Sequence, residues 1–124
     1  MSEYSFIQVE ASPTFKRNIR SLAKKYRNIR NDIQPLIEQL ERGELLGDQI
    51  SGINYEVFKL RVRNRDIQKG KSGGYRLIYY VKTANGIILL TIYTKSEQND
   101  IATDAIRSII AEYEQRAVEN EEDT

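Results

Sequence analysis

The period of the hydrophobic positions changes near Gly47. Before it, Phe15, Ile19, Leu22, Ala23 and Tyr26 recur at helical spacing and define one amphipathic face. Ile33, Leu36, Ile37 and Leu40 define a second. Ser12-Pro13 supplies an N-cap and a proline at the first helical position, so the first helix is expected from there to about residue 27. The second stops at Gly43, a natural residue just past a helix end. Pro35 is expected in the first turn of that helix, because a later proline breaks the backbone ladder. The few residues between the two predict an antiparallel helical hairpin.

After Gly47 the period is two. Tyr55–Arg63, Tyr75–Lys82 and Ile87–Thr94 read as strands, and Ala84-Asn85-Gly86 as the hairpin turn between the last two. Ser5–Glu10 reads as an earlier strand. Asn64 to Gly74, with Gly70, Gly73, Gly74 and several charges, reads as an exposed loop. A last helix is expected from about Thr103 to Arg116 with Ile106, Ile109, Ile110 and Tyr113 inward. The order strand, two helices, three or four strands, helix predicts a compact α+β domain over residues 1–117. Its antiparallel sheet carries the N-terminal helix hairpin on one face and is completed by the C-terminal helix. Residues 118–124 are expected to be an acidic, frayed tail.

Composition narrows the chemistry more than the fold. The 124 residues hold no cysteine and no histidine, which removes disulfides, thiolate metal sites, cysteine nucleophiles and the usual neutral-pH base. Any catalysis must run on Lys, Arg, Tyr, Ser/Thr or carboxylates. Met1-Ser2-Glu3-Tyr4 has neither a basic nor an apolar region, so no secretion signal is expected. The apolar run Ile87 to Leu90 is too short to span a bilayer, and a reducing cytoplasm is the expected location.

The net charge of +1 conceals an uneven distribution. Glu112, Glu114, Glu119, Glu121, Glu122 and Asp123 face a single base, Arg116, at the C-terminal end. Between Lys59 and Arg76 stand Lys59, Arg61, Arg63, Arg65, Lys69, Lys71 and Arg76, opposed only by Asp66. Such a local excess suits a polyanion better than a small acidic metabolite.

Strand alternation sorts that stretch. Phe58, Leu60 and Val62 point one way and Lys59, Arg61 and Arg63 the other, onto an open face. Cations in a row repel unless an anion or a partner lies across them; the plain alternative is an edge strand guarded against aggregation. Lys69 and Lys71 come to the same end through a glycine loop, where backbone can approach a ligand closely. Arginine forks suit phosphate and tyrosine rings stack on bases, so these cations with Tyr75 and Tyr93 form a plausible RNA surface. Periodicity leaves open whether Arg76, Ile78, Tyr80 and Lys82 or their neighbours face the cations. The basic outer helix face (Lys16, Arg17, Arg20, Lys24, Lys25, Arg27) reads as solvated, Asp100 and Asp104 as helix caps, and Tyr79-Tyr80 as sheet packing. Ser72 has no histidine to activate it.

Phe58-Lys59-Leu60-Arg61, Lys69-Gly70-Lys71-Ser72-Gly73-Gly74-Tyr75-Arg76-Leu77-Ile78-Tyr79-Tyr80 and Tyr93-Thr94-Lys95-Ser96-Glu97 together resemble the RelE/ParE toxin superfamily, most of all its HigB-like RelE branch. The resemblance extends over roughly residues 15–110. It implies the toxin of a type II toxin–antitoxin system, a ribosome-dependent mRNA endonuclease. The implied reaction is attack of a ribose 2′-hydroxyl on the adjacent phosphate, without metal or other cofactor. Lys59, Arg61, Lys71, Arg76, Lys95 and Tyr93 are the expected catalytic residues, and Arg63, Lys69 and Tyr75 the RNA-binding ones. Arg61 and Arg76 would clamp phosphate, and a lysine crowded by cations gives up its proton more readily. Lys59, beside Arg61, is thus the first candidate base, followed by Lys71 and Lys95. Two family features differ: Lys95-Ser96 replaces an arginine after the last strand, and Ile101-Ala102 a tyrosine of the last helix, leaving that role vacant or to Tyr93. The implied partners are a cognate antitoxin, usually a helix-turn-helix protein that brings the pair to operator DNA, with ribosome and mRNA. A gyrase-directed ParE-type toxin and a non-toxic binding module on the same scaffold remain the alternatives.

Overall fold

The computed structural model describes residues 6–66, 74–98 and 100–122. The elements are β1 (Gln8–Ala11), α1 (Pro13–Lys25), α2 (Ile29–Glu41), β2 (Asp48–Gln49), β3 (Val57–Val62), β4 (Tyr75–Thr83), β5 (Gly86–Thr94) and α3 (Thr103–Glu122). Ser12 starts the helical hairpin as expected: its hydroxyl accepts the Phe15 N–H at 3.0 Å and donates to the Leu90 carbonyl at 2.7 Å. One side chain thus caps α1 and fixes it to β5. At the other end of the hairpin, Gly43 takes φ +91°, the left-handed conformation that ends α2.

Pro35 is the seventh residue of α2, not part of its first turn. The helix begins earlier because Ile29 and Ile33 are both buried and hold its start against the core. The missing N–H deprives only the Asn31 carbonyl, and both residues are exposed, so that carbonyl is open to solvent.

The five strands run in the order β1-β5-β4-β3-β2. Three pairings are antiparallel, but β1 lies parallel to β5, with Gln8 opposite Gly86 and Ala11 opposite Leu89. The sheet is therefore mixed, and the hairpin α1–α2 forms the start of the crossover a parallel pair requires. Both faces are covered. Phe15, Ile19, Ile29 and Ile33 pack on Leu60, Val62, Leu77 and Tyr79 from the hairpin side. Ile106 and Ile110 of α3 pack on Val57, Ile78, Ile88 and Leu90 from the other. The face expected to be open is thus half closed by α3.

α3 continues to Glu122, well past Arg116. No glycine or proline interrupts Ala117 to Glu122, and Gln115 donates to Glu119 one turn on at 3.5 Å. Tyr113 anchors the helix: its ring lies 5.3 Å from the Lys82 ammonium, and its hydroxyl donates to Glu10 at 3.0 Å. No helix among the described residues is long and apolar enough to cross a membrane.

Candidate nucleic-acid interface

Strand register decides which side chains meet. Arg61 of β3 stands opposite Arg76 of β4, and Arg76 opposite Tyr93 of β5. The three form a row across the sheet on the α3 side, since Arg76 alternates with Tyr75 and Leu77, which enter the hairpin-side core.

Tyr93 reaches this row only because β5 is irregular. Ile78 pairs with Thr91 but Tyr79 pairs with Leu89, so Leu90 has no partner on β4. Leu90 packs under α3, whereas both Thr91, which donates to Asn18 of α1 at 2.8 Å, and Ile92 turn to the hairpin. The extra residue shifts the parity of the strand, and Tyr93 comes out beside Arg76. Uninterrupted alternation from Leu90 would have put Tyr93 on the hairpin face.

Electrostatically the row is unbalanced. Arg76 is 7% exposed, and its guanidinium donates only to the carbonyl of its neighbour Tyr75, at 3.1 Å, among the described residues. Neither Arg61 nor Arg76 has an acidic partner there. Like charges opposite each other cost roughly 0.2–1 kcal/mol, and a buried charge without a counter-ion costs several kcal/mol. Among the described residues the buried Tyr93 hydroxyl has no hydrogen-bond partner, although the Asp100 carboxylate lies beside it. Burial, then the negative charge of Asp100, pushes its pKa up against the pull of Arg76, so the hydroxyl remains a donor.

The backbone at this end is tight. A Cβ on Gly74 would lie 2.7 Å from the Val62 carbonyl oxygen and 3.5 Å from Arg76 Nη1, so only glycine lets β4 enter beside β3 here. The Lys95 N–H donates to the Gly74 carbonyl at 3.1 Å, which brings exposed Lys95 to the same end.

Of the other expected residues, Lys59 is half-buried with Nζ 3.5 Å from Asp100 Oδ1. It meets a carboxylate, in contrast to the cationic crowding expected of a candidate base. Arg63 lies one residue past β3, exposed, along a groove of about 760 Å³ that Arg61 and Arg65 also line. Lys69 and Lys71 lie outside the described residues. Tyr75 is corrected: its ring is 0% exposed and meets Tyr26 edge-on, 5.8 Å between centroids, so it offers no face to a base. The reason is parity, since adjacent strand residues point to opposite faces and Arg76 takes the site side.

Three carboxylates take roles that residue order did not assign. Asp32, with its side chain 1% exposed, accepts the Arg65 N–H at 3.1 Å and lies 3.0 Å from Arg65 Nε. Its place among Ile29, Ile33 and Leu36, on the buried stripe of α2, is a signal that was available. Beside it, Asp66 accepts two bonds from Asn28, from the backbone N–H at 3.0 Å and Nδ2 at 2.9 Å. Asp100 precedes α3 and caps nothing in its first turn; there Asp104 pairs with Arg107 at 3.0 Å. No local pattern announces the pairing of Asp100 with Lys59, 41 residues away.

Two guanidinium groups and one hydroxyl donor, aligned on a partly open face with no carboxylate ion-paired to either guanidinium among the described residues, can hold a phosphodiester. No family model matches the chain. Among solved structures, a mutant of the E. coli toxin RelE in the free state superposes with a TM-score of 0.51 at 16% identity. The match covers 90% of this chain and 98% of that one. The chain shares the fold of that protein, a RelE-like α+β domain.

Proposed function

We propose that the chain is the toxin of a type II toxin–antitoxin system and acts as a ribosome-dependent mRNA endonuclease. The observation that carries this reading is the row Arg61–Arg76–Tyr93: among the described residues, a buried guanidinium with no ion-paired carboxylate, faced by a second arginine and flanked by a hydroxyl without a hydrogen-bond partner. A phosphodiester supplies what all three lack. The fold, shared with a protein named as a toxin, supports the wider frame.

On this reading Arg61 and Arg76 hold the non-bridging oxygens, and the Tyr93 hydroxyl donates to the charge that grows on them as the 2′-oxygen attacks. Lys59 and Lys95 add positive charge at the rim. Arg63, with Lys69 and Lys71 of the neighbouring segment, follows the RNA backbone. A cognate antitoxin, of the helix-turn-helix kind, would hold the chain silent in the cytoplasm and carry the pair to operator DNA.

The test is primer extension on an mRNA engaged by translating ribosomes, with a gyrase supercoiling assay beside it. Wild-type protein is expected to produce discrete breaks in the decoding site and to leave supercoiling untouched. Intact mRNA together with blocked supercoiling would replace the nuclease reading with the gyrase one.

A further inference from the structure

A 2′-hydroxyl attacks only if something takes its proton, and this chain contains no histidine. A guanidinium is a hydrogen-bond donor without an acceptor atom, which leaves Arg61 and Arg76 out of that role. Lys59, the nearest lysine on the same strand face, lies against Asp100 at 3.5 Å. Among the described residues, Asp100 is the only acid ion-paired to any of Lys59, Arg61, Arg76 and Lys95. It is held in place twice: Oδ1 accepts the Ile101 N–H at 2.9 Å, and its backbone carbonyl accepts Gln98 Nε2 at 2.9 Å. Both the ion pair and the Ile101 bond use Oδ1, which leaves Oδ2 without a hydrogen bond of its own among the described residues, on a side chain that is 67% exposed and lies beside the Tyr93 hydroxyl. A carboxylate fixed on one oxygen, open on the other and adjacent to the phosphate-holding row is built to receive a proton.

We propose that Asp100 is the general base of phosphodiester cleavage, an assignment that rests on the nuclease reading above. The O2′–H bond breaks as its proton passes to Asp100 Oδ2, and the freed electron pair of O2′ forms the bond to phosphorus. The P–O5′ bond breaks with its electron pair on O5′, which takes a proton from the Lys59 ammonium. The products are a 2′,3′-cyclic phosphate and a 5′-hydroxyl. The protonated Asp100 then returns its proton to Lys59 across the ion pair, and the site is restored without a further reactant. The flexible stem of Lys59 lets the pair open for the phosphate and close after it.

The experiment is single-turnover cleavage of ribosome-bound mRNA by wild type, Asp100→Asn and Asp100→Glu, with RNA affinity and thermal unfolding measured on each. Asp100→Asn is expected to cleave at least ~100-fold more slowly, in the range of general-base catalysis. It should bind RNA as tightly as wild type or more so, because a negative charge has left the phosphate site, and Asp100→Glu should recover part of the rate. A substrate with sulfur replacing the 5′-bridging oxygen, whose leaving group needs no proton, should not relieve Asp100→Asn but should relieve Lys59→Ala. Cleavage by Asp100→Asn at the wild-type rate or faster overturns the proposal and makes Asp100 a mere competitor of phosphate for Lys59. Relief of Asp100→Asn by the sulfur substrate overturns it as well. Absence of cleavage by wild type removes the nuclease reading and the assignment together, whereas an active wild type with an unaffected variant removes the assignment alone.

Discussion

At one end of the sheet, neighbouring residues of the same strands build two polar clusters on opposite faces. On the hairpin side Asp32, Arg65 and Asn64 gather around the buried Tyr75, and the cation has its carboxylate at 3.0 Å. Asn64 accepts the Asp66 N–H at 2.9 Å, and Asp66 in turn holds Asn28. On the α3 side Arg61, Arg76 and Tyr93 stand in a row in which, among the described residues, neither guanidinium is ion-paired to a carboxylate; Asp100, beside Tyr93, pairs with Lys59 instead. Burial is similar in the two; charge balance is not. The hairpin-side cluster pairs its charges inside the fold and anchors the end of β3 to α2, although Asn64 Nδ2 and the Tyr75 hydroxyl are buried without hydrogen-bond partners among the described residues. An unbalanced one holds interactions in reserve for something that arrives.

That contrast predicts opposite signatures on substitution. Arg76→Ala should lower mRNA cleavage by about 10²–10³-fold, the usual loss when one donor to a developing oxyanion is removed. Thermal unfolding should show a midpoint no lower than wild type, because the change removes a buried cation that has no counter-ion in the free protein. A variant that melts early and recovers activity on cooling would put Arg76 on the structural side and erase the distinction.

Asp32→Ala tests the other cluster and should behave in reverse. It deprives the Arg65 N–H of its acceptor and Arg65 Nε of its anion, at a cost of about 1–3 kcal/mol in stability. Denaturant unfolding should register that loss, while cleavage per folded molecule should fall much less than in Arg76→Ala. Abolished cleavage with unchanged stability would show that the hairpin-side cluster serves the reaction directly.

Much of this frame could be read from residue order, and the parts that could not share a physical cause. Ser12-Pro13 and Gly43 mark real helix ends, and the period-two runs after Gly47 mark real strands, because caps and alternation are local properties. Pairing is not local. Which face of β4 carries Arg76 follows from its register with Arg61, and alternation within β4 alone says nothing about it. The unpaired Leu90 reverses parity in β5, so a strict reading of that strand would separate Tyr93 from the arginines. The parallel placement of β1 and the contact of Asp100 with Lys59 depend likewise on segments far apart in the chain. Pro35 erred for the opposite reason: a local rule was applied where an exposed carbonyl and a well-buried first turn outweigh it.

The smallest change separates the clusters most cleanly. Tyr75 and Tyr93 are both buried, both lack a partner for the hydroxyl among the described residues, and both have pKa values raised chiefly by burial. Their chemistry in the free protein is therefore nearly the same, and only the face differs. Loss of the hydroxyl in Tyr93→Phe removes a donor aimed at the phosphate site. A hydrogen bond to a charged group is worth about 1.5–3 kcal/mol, so a drop in cleavage of at least ~10-fold is expected, with an unfolding midpoint that holds or rises, as for any buried hydroxyl without a partner. Tyr75→Phe removes an unsatisfied buried hydroxyl among Tyr26, Asp32 and Asn64, a group whose desolvation costs about 1–3 kcal/mol. Cleavage should stay at the wild-type level and the unfolding midpoint should hold or rise. Equal losses of cleavage in the two phenylalanine variants would mean that the faces are coupled through β4, and that charge balance does not divide structure from function at this end of the sheet.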